Sequence, residues 1–362
     1  MTCCLNHWFW WTVILLAVVG SMAPLAFAQT VNVAVIIANE RGGTGDITSN
    51  IVAAMQLKQQ RPDWNVFLVE PETKKSRQVL KDVFPESEKE ILLPNMELIS
   101  RKEFQRRQPT LTGDLNVAIQ FSCPWDATMD VARGWADRQM FFAEYSIPSD
   151  GWIGEIKANV DLQRMLTGPE YTGMYIAEAK PEPLRGREEM WQRLMAVKEK
   201  NVAAATRTEG AKRLAYSYAT HNYNTEKYVK FVYDAARSQY AGDTIQLVVY
   251  DANRKNLPRY TTDKPDNVEL VVLHRRPLSL GFLLEAHADL PMLLTGDFGP
   301  TLAVDYEKPF FMETHSHKRY FKKALLQRLK ETMSPENFKL AQQAMDFTLM
   351  TEINAAEFTN PN

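Results

Sequence analysis

Cysteine is nearly absent from this chain of 362 residues: there are three, and two of them, Cys3 and Cys4, stand in its first four positions. Loss of a leader would leave only Cys123, which excludes an internal disulfide and leaves folding to an apolar core. A surplus of either charge is also missing. Lys and Arg number 42 against 44 Asp and Glu, for a net charge of -2, and this balance gives no reason to expect nucleic acid or an anionic membrane as partner. Internal repeats and low-complexity tracts are lacking. No P-loop lysine follows the Gly-rich segment, and no G-x-S-x-G elbow occurs, so neither a P-loop NTPase nor a Ser-His-Asp hydrolase has support. What remains is ordinary globular composition, 45% hydrophobic and 24% charged, with length for two domains.

Charge is wholly lacking from residues 1–28, which run through WFWWTVILLAVVGSMAPLAFA to a small-x-small end at Ala26, Phe27 and Ala28. This pattern predicts a signal peptide cleaved before Gln29 and an exported protein, periplasmic or secreted. A retained anchor is the alternative, since the apolar run is long enough to span a bilayer. Pro24 and the AFA end favour cleavage.

From Thr30 the chain reads as strand (VNVAVIIANE), Gly-rich loop (RGGTGDITSN) and helix (IVAAMQLKQQRP). Further strands are expected at WNVFLVE, Trp64 to Glu70, and LNVAIQFSCP, Leu115 to Pro124. Between about Met129 and Gly210 the sequence is charge-dense and helix-prone, with Pro and Gly clusters that mark loops. A second series follows: KRLAYSYA strand, NTEKYVKFVYDAARSQ helix, DTIQLVVYD and NVELVVLH strands, LSLGFLLEAHA helix, PMLLT strand. Ser334, Pro335 and Glu336 then start a last helix. The fold class is α/β, with two Rossmann-like domains facing a central cleft. The expected division is a leader over 1–28, a first domain with a helical insert over 29–209, a second over 210–333, and a helix in 334–362 that packs back across both.

Two loops carry chemistry. Thr295, Gly296, Asp297, Phe298, Gly299, Pro300 and Thr301 follow the PMLLT strand and open a short helix, whose free backbone N–H groups suit a diphosphate. The bland alternative is a capped strand-to-helix turn. In the first domain Gly42, Gly43, Thr44, Gly45 and Asp46 lie between strand and helix. There Asp46 is either a carboxylate at a helix N-terminus or a general base facing the cleft. His274, Arg275 and Arg276 end a strand, as donor-facing cations or as a solvated strand end. Tyr218, His221 and Asn222 precede a helix and either frame a nucleotide or fill loop and core. His315-x-His317 has strand spacing for a metal, but no further ligand is evident in sequence. Cys123 is expected to be buried and inert, and Asp126 beyond it lies within reach of the cleft.

This pair of loops, GGTGD at Gly42 to Asp46 and TGDFGPTLAVDYEKPFF at Thr295 to Phe311, resembles the GT-B glycosyltransferases. RLAYSYATHNYNTEKYVKFV, Arg213 to Val232, looks like the first strand and helix of their donor domain, and HADLPMLLTGD like the strand before the donor loop. More narrowly, the arrangement is similar to inverting protein-arginine rhamnosyltransferases and, more loosely, to lipid-linked N-acetylglucosaminyltransferases. The resemblance implies Asp46 as the base, and Gly42, Gly43, Thr44 and Gly45 as the acceptor-side loop. It implies donor contacts from Tyr218, Arg275, Gly296, Asp297, Phe298, Gly299, Thr301 and Asp305. No metal or other cofactor is then required, because helix N-termini and cations neutralise the leaving diphosphate. One departure stands out: where such donor helices often carry an acid, this chain has Leu302, for which Asp305 or Asp297 would have to substitute.

The function implied is metal-independent, inverting transfer of a sugar from a nucleotide-diphosphate sugar to a protein, glycan or lipid acceptor. A membrane would be touched only through an uncleaved N-terminus, and nucleic acid is not an expected partner. Export conflicts with the cytosolic location of nucleotide sugars, unless the protein acts inside another cell or uses a lipid-linked sugar. The alternatives are an exported two-domain binding protein without chemistry, and a sugar-nucleotide epimerase or hydrolase on the same scaffold.

Overall fold

The computed structural model describes residues 30–37, 44–92, 96–121, 127–142, 187–197, 200–203, 212–251, 256–296, 298–315, 319–347, 350 and 358. The leader, Gly42, Gly43, Cys123, Asp126, Asp297 and His317 lie outside the described residues.

The first unit runs β1 (Val31–Ile36), α1 (Gly45–Gln60), β2 (Asn65–Val69), α2 (Lys74–Val83), α3 (Glu86–Leu92), β3 (Glu97–Ile99), α4 (Arg101–Arg107), β4 (Leu115–Phe121) and β5 (Arg138–Phe142). Its sheet is wholly parallel, in the order β3-β2-β1-β4-β5. All six residues of β1 are buried, as a central strand covered on both faces requires. Val33 and Val35 join a cluster on one face, with Ile47, Ile51 and Leu68. Ala34 and Ile36 join another on the opposite face, with Phe104 and Trp135.

The second unit contains α5 (Arg187–Ala196), β6 (Lys200–Ala203), β7 (Lys212–Tyr218), α6 (Asn222–Arg237), β8 (Thr244–Tyr250), α7 (Leu257–Thr261), β9 (Val268–Leu273), α8 (Leu278–His287), β10 (Met292–Thr295), α9 (Phe298–Asp305), β11 (Phe310–Glu313), α10 (Arg319–Thr332) and α11 (Pro335–Met345). The strand order is β11-β10-β7-β8-β9-β6. Five strands are parallel; β6 runs antiparallel to β9. The second sheet thus takes a strand from the stretch that the sequence pattern gives to the first unit's helical insert. KNVA is a four-residue edge strand among charged residues, too short for a period-2 signal. Ser334 caps α11 as expected, its hydroxyl accepting from Asn337 N at 3.3 Å. That helix packs on β11 and α10.

Each sheet reverses its winding once. In the first the reversal lies between β1 and β4, in the second between β7 and β10. At such a point the following helices leave on opposite faces and open a crevice at the carboxyl ends of the strands, where α/β proteins bind ligands. Both loops singled out in the sequence stand at these two points. Apolar packing between the units is continuous: one cluster contains Ile47 and Ile51 of α1 together with Leu294, Phe298 and Leu302.

Candidate functional site

The first-unit half of the site is the start of α1. Thr44 is the N-cap, but its hydroxyl makes no capping bond; instead Oγ1 lies 2.8 Å from the Tyr218 hydroxyl at the end of β7. Asp46 follows in the first turn, half-buried. Its backbone is pinned from below: the Asp46 carbonyl accepts from Asn50 Nδ2 at 2.6 Å. The same Asn50 amide acts as a substitute strand at the winding reversal. Nδ2 donates to Phe121 O at 2.8 Å and Oδ1 accepts from Phe121 N at 2.9 Å, locking α1 to the end of β4. Gly45 faces the other unit, where an added Cβ would stand 3.9 Å from Phe298 Cβ, an ordinary contact.

The second-unit half is built around Tyr218. Its ring is tilted 45° against Tyr250 at 5.1 Å, and the Arg276 guanidinium lies 4.1 Å from its centroid, a cation over a π-face. Arg276 is buried and donates to Tyr216 OH at 2.8 Å and Glu285 Oε1 at 3.0 Å. Gly281 makes room for it, since a Cβ there would come within 3.0 Å of the guanidinium. Glu285 Oε2 is buried without a hydrogen-bond partner. Burial pushes this carboxyl up to about 7, against the pull of Arg276. Arg275, the residue expected to face the donor, is half exposed and stands 3.6 Å from Asp82 of α2. Within the His-Arg-Arg run, Arg276 is therefore the residue against Tyr218, and alternation along a strand end gives no sign of which of two adjacent arginines turns inward.

Between these halves sits the turn into α9. Gly296 has φ 78°, the left-handed conformation that glycine takes without strain. Phe298 and Gly299 form the first turn beside Gly45 of the other unit and the Glu285 carboxylate, whose Oε1 lies 3.8 Å from a Cβ built on Gly299. Thr301 is buried, and its hydroxyl donates to Phe298 O at 2.8 Å, so that hydrogen is committed within the helix. Leu302 is buried in the apolar cluster: its face of α9 points into the core, where no acid could meet a ligand. Asp305 is the last residue of α9, about 10 Å along the axis from its first turn. Thr44 and Gly45 meet Tyr218 and Phe298 across the units, with Asp46 next in α1 and Gly296 and Gly299 beside Phe298; the Thr301 hydroxyl is spent on Phe298 O, Arg275 pairs with Asp82, and Asp305 stands at the far end of α9.

Sequence reasoning missed a further group. Glu313, the buried end of β11, accepts from Thr220 N (2.8 Å), Thr220 Oγ1 (2.7 Å), His221 N (2.9 Å) and Asn224 Nδ2 (2.9 Å). Burial raises the carboxyl and these bonds lower it, leaving it at about 2, a permanent anion. His221 Nδ1 lies 3.1 Å from Oε1 and His315 Nε2 3.3 Å from Oε2. His315 also stands 3.2 Å from the Thr295 hydroxyl, just before Gly296. Glu313 stands two residues before His315, the strand spacing already seen in His315-x-His317, and could have been found by it; His221, 94 positions away, could not.

No family model matches the chain, and no curated protein does. Solved structures similar to it include a glycosyl transferase family 9 protein from Veillonella parvula, with 11% identity, TM-score 0.45, and coverage of 89% of this chain and 98% of that one. A Methanocaldococcus jannaschii UDP-GlcNAc 2-epimerase in complex with UDP-GlcNAc and UDP is similar over 91% and 97%, at 9% identity and TM-score 0.45. The E. coli ADP-heptose heptosyltransferase II is similar over 78% and 84%, at 9% identity and TM-score 0.42. The architecture stands on this chain's own strand orders, two α/β sheets that each reverse their winding once, with contacts between the units at Thr44–Tyr218 and Gly45–Phe298.

Proposed function

We propose that this chain is a GT-B-type glycosyltransferase that uses a nucleotide-diphosphate sugar. The observation that carries the reading is that the first-unit loop meets the second unit at two places: Thr44 bonded to Tyr218 at the end of β7, 2.8 Å away, and Gly45 against Phe298 of the other loop. Asp46 follows Gly45 in the first turn of α1, the helix that packs on α9 from the opposite unit. The Phe298 to Gly299 turn, with the Gly296 corner, receives the diphosphate on backbone N–H groups. Tyr218 and Tyr250 border the nucleotide. Asp46 takes the proton of the acceptor's attacking atom as that atom bonds to the anomeric carbon. The bond from that carbon to the diphosphate breaks, and the charge develops at α9. Attack from the face opposite the nucleotide inverts the configuration.

One observation favours a second reading, a binding protein without transfer: the acid-bearing position of the donor helix is Leu302, turned into the core. The two separate in one experiment. The purified chain is assayed for transfer and donor hydrolysis with a panel of nucleotide sugars, beside Asp46→Ala. A transferase turns over, and Asp46→Ala lowers turnover by about 10²-fold or more with donor affinity retained. Binding without turnover in the wild type selects the second reading, and absence of any nucleotide binding excludes both.

A further inference from the structure

We propose that His221, Glu313 and His315 form a binding site for one divalent transition-metal ion of the Zn2+ or Co2+ kind. The inference goes beyond the transferase reading and does not depend on it. Two imidazoles and a carboxylate are a known ligand set for three-ligand sites that keep a position open. Among the described residues this is the group of three potential ligands whose donor atoms all lie within 4.8 Å of one another.

The donor atoms are already close: Nδ1 of His221 is 3.1 Å from Oε1, Nε2 of His315 is 3.3 Å from Oε2, and all lie within 4.8 Å of one another. Ligand atoms bound tetrahedrally at about 2.0–2.1 Å stand roughly 3.3 Å apart, so an ion would draw both imidazoles toward one carboxylate oxygen. A carboxylate offers about four lone-pair directions. Thr220 N, Thr220 Oγ1, His221 N and Asn224 Nδ2 account for that number, all at 2.7–2.9 Å. An ion therefore needs one of these directions, and the Thr220 hydroxyl is the donor that can turn away without moving backbone: it lies 3.0 Å from His315 Nε2, beside the Oε2 lone pair it would give up. The two backbone N–H groups and the Asn224 amide remain as the outer shell that orients the carboxylate.

Each ligand is held by a different feature of the fold. Glu313 is fixed at the buried end of β11, His221 is the N-cap of α6, and His315 is joined to Thr220 and Thr295 at 3.0 and 3.2 Å. The imidazoles lie against each other at 4.9 Å between centroids. The side chain of His221 is 60% exposed, which gives the ion a route in and leaves coordination positions open to water. On loading, each imidazole nitrogen offers its lone pair, and a proton carried there leaves to solvent or to the other ring nitrogen.

The test is titration of the chelator-treated, untagged full chain with Co2+, read by its visible d–d absorption, with Zn2+ as competitor. One equivalent is expected to bind and to be displaced by Zn2+, with a rise in the thermal midpoint. His221→Ala and His315→Ala should each weaken binding by about 100-fold or more, whereas Thr220→Val, which removes the hydroxyl competing for Oε2, should not weaken it. His287→Gln, outside the cluster, should leave it unchanged. Because His221 is mostly exposed, His221→Ala keeps the fold, as circular dichroism will verify, and the test does not depend on Glu313→Gln folding. Absence of saturable Co2+ uptake, or uptake that survives His221→Ala, overturns the proposal.

Discussion

Buried charge is concentrated in a few side chains, and Glu285 with Arg276 is the pair whose consequences are most readily measured. The folded-state pKa of Glu285, about 7, lies above the 4.5 of a free glutamate. Its contribution to stability is therefore fully present below pH 4.5 and is lost as pH rises through 7. A shift of that size corresponds to about 3 kcal/mol. Urea melts across this window should show wild-type stability falling, and Glu285→Gln should flatten the slope; parallel curves would contradict the assignment. Removing only the cation is more damaging. Arg276→Met leaves a buried carboxylate without its partner and should cost about 3–5 kcal/mol, whereas Arg276→Met with Glu285→Leu should recover most of the loss. Gly281→Ala drives a Cβ to within 3.0 Å of the buried, hydrogen-bonded Arg276 guanidinium, and about 1–3 kcal/mol is expected in the same melts. At this scale the sequence was least legible. His274, Arg275 and Arg276 stood out as a cationic run, but which arginine turns under Tyr218 depends on Gly281 and Glu285 of the following helix.

Elements were more legible, because periodicity is a local property. VNVAVI, TIQLVVY and VELVVL are runs of β-branched and apolar residues that suit strands buried on both faces, and all three are parallel strands. The last helix was fixed by Ser334 and Pro335, and Ser334→Ala should cost about 1 kcal/mol in chemical melts. β6 was not legible. Its position is set by pairing with β9, whose edge would otherwise be open, and not by its own propensity. The junction of α1 with β4 depends on one amide. Asn50→Leu removes both hydrogen bonds from the Asn50 amide to the Phe121 backbone in a buried setting, which should cost about 2–3 kcal/mol. Hydrogen exchange should speed up at the start of α1 and the end of β4, with β8 and β9 unaffected. Uniform acceleration would mean that Asn50 holds the whole fold and not this junction.

For the whole molecule, the two units are joined by specific polar contacts as well as by apolar packing. Glu88 of α3 accepts from Ser279 N at 2.8 Å and Ser279 Oγ at 2.7 Å in the first turn of α8, with Arg193 3.4 Å away. A first-unit carboxylate therefore sits on a second-unit helix N-terminus, where the helix dipole favours an anion. Arg275 and Asp82 add a more exposed pair. The sequence placed a polar loop at the end of a strand in each unit, and the strand orders account for why the two meet: each follows the strand at which winding reverses. Only tertiary structure could show that Thr44 reaches Tyr218, or that Glu313 gathers Thr220, His221 and His315 from the two sides of the second crevice.

A site made from both units should receive a nucleoside diphosphate. Calorimetric titration of UDP, ADP and GDP into the full chain, beside Tyr218→Ala, tests this most directly. Saturable one-to-one binding of at least one of the three is expected, weakened about tenfold or more by Tyr218→Ala. Absence of heat from all three at millimolar concentration, or binding indifferent to Tyr218, would contradict it.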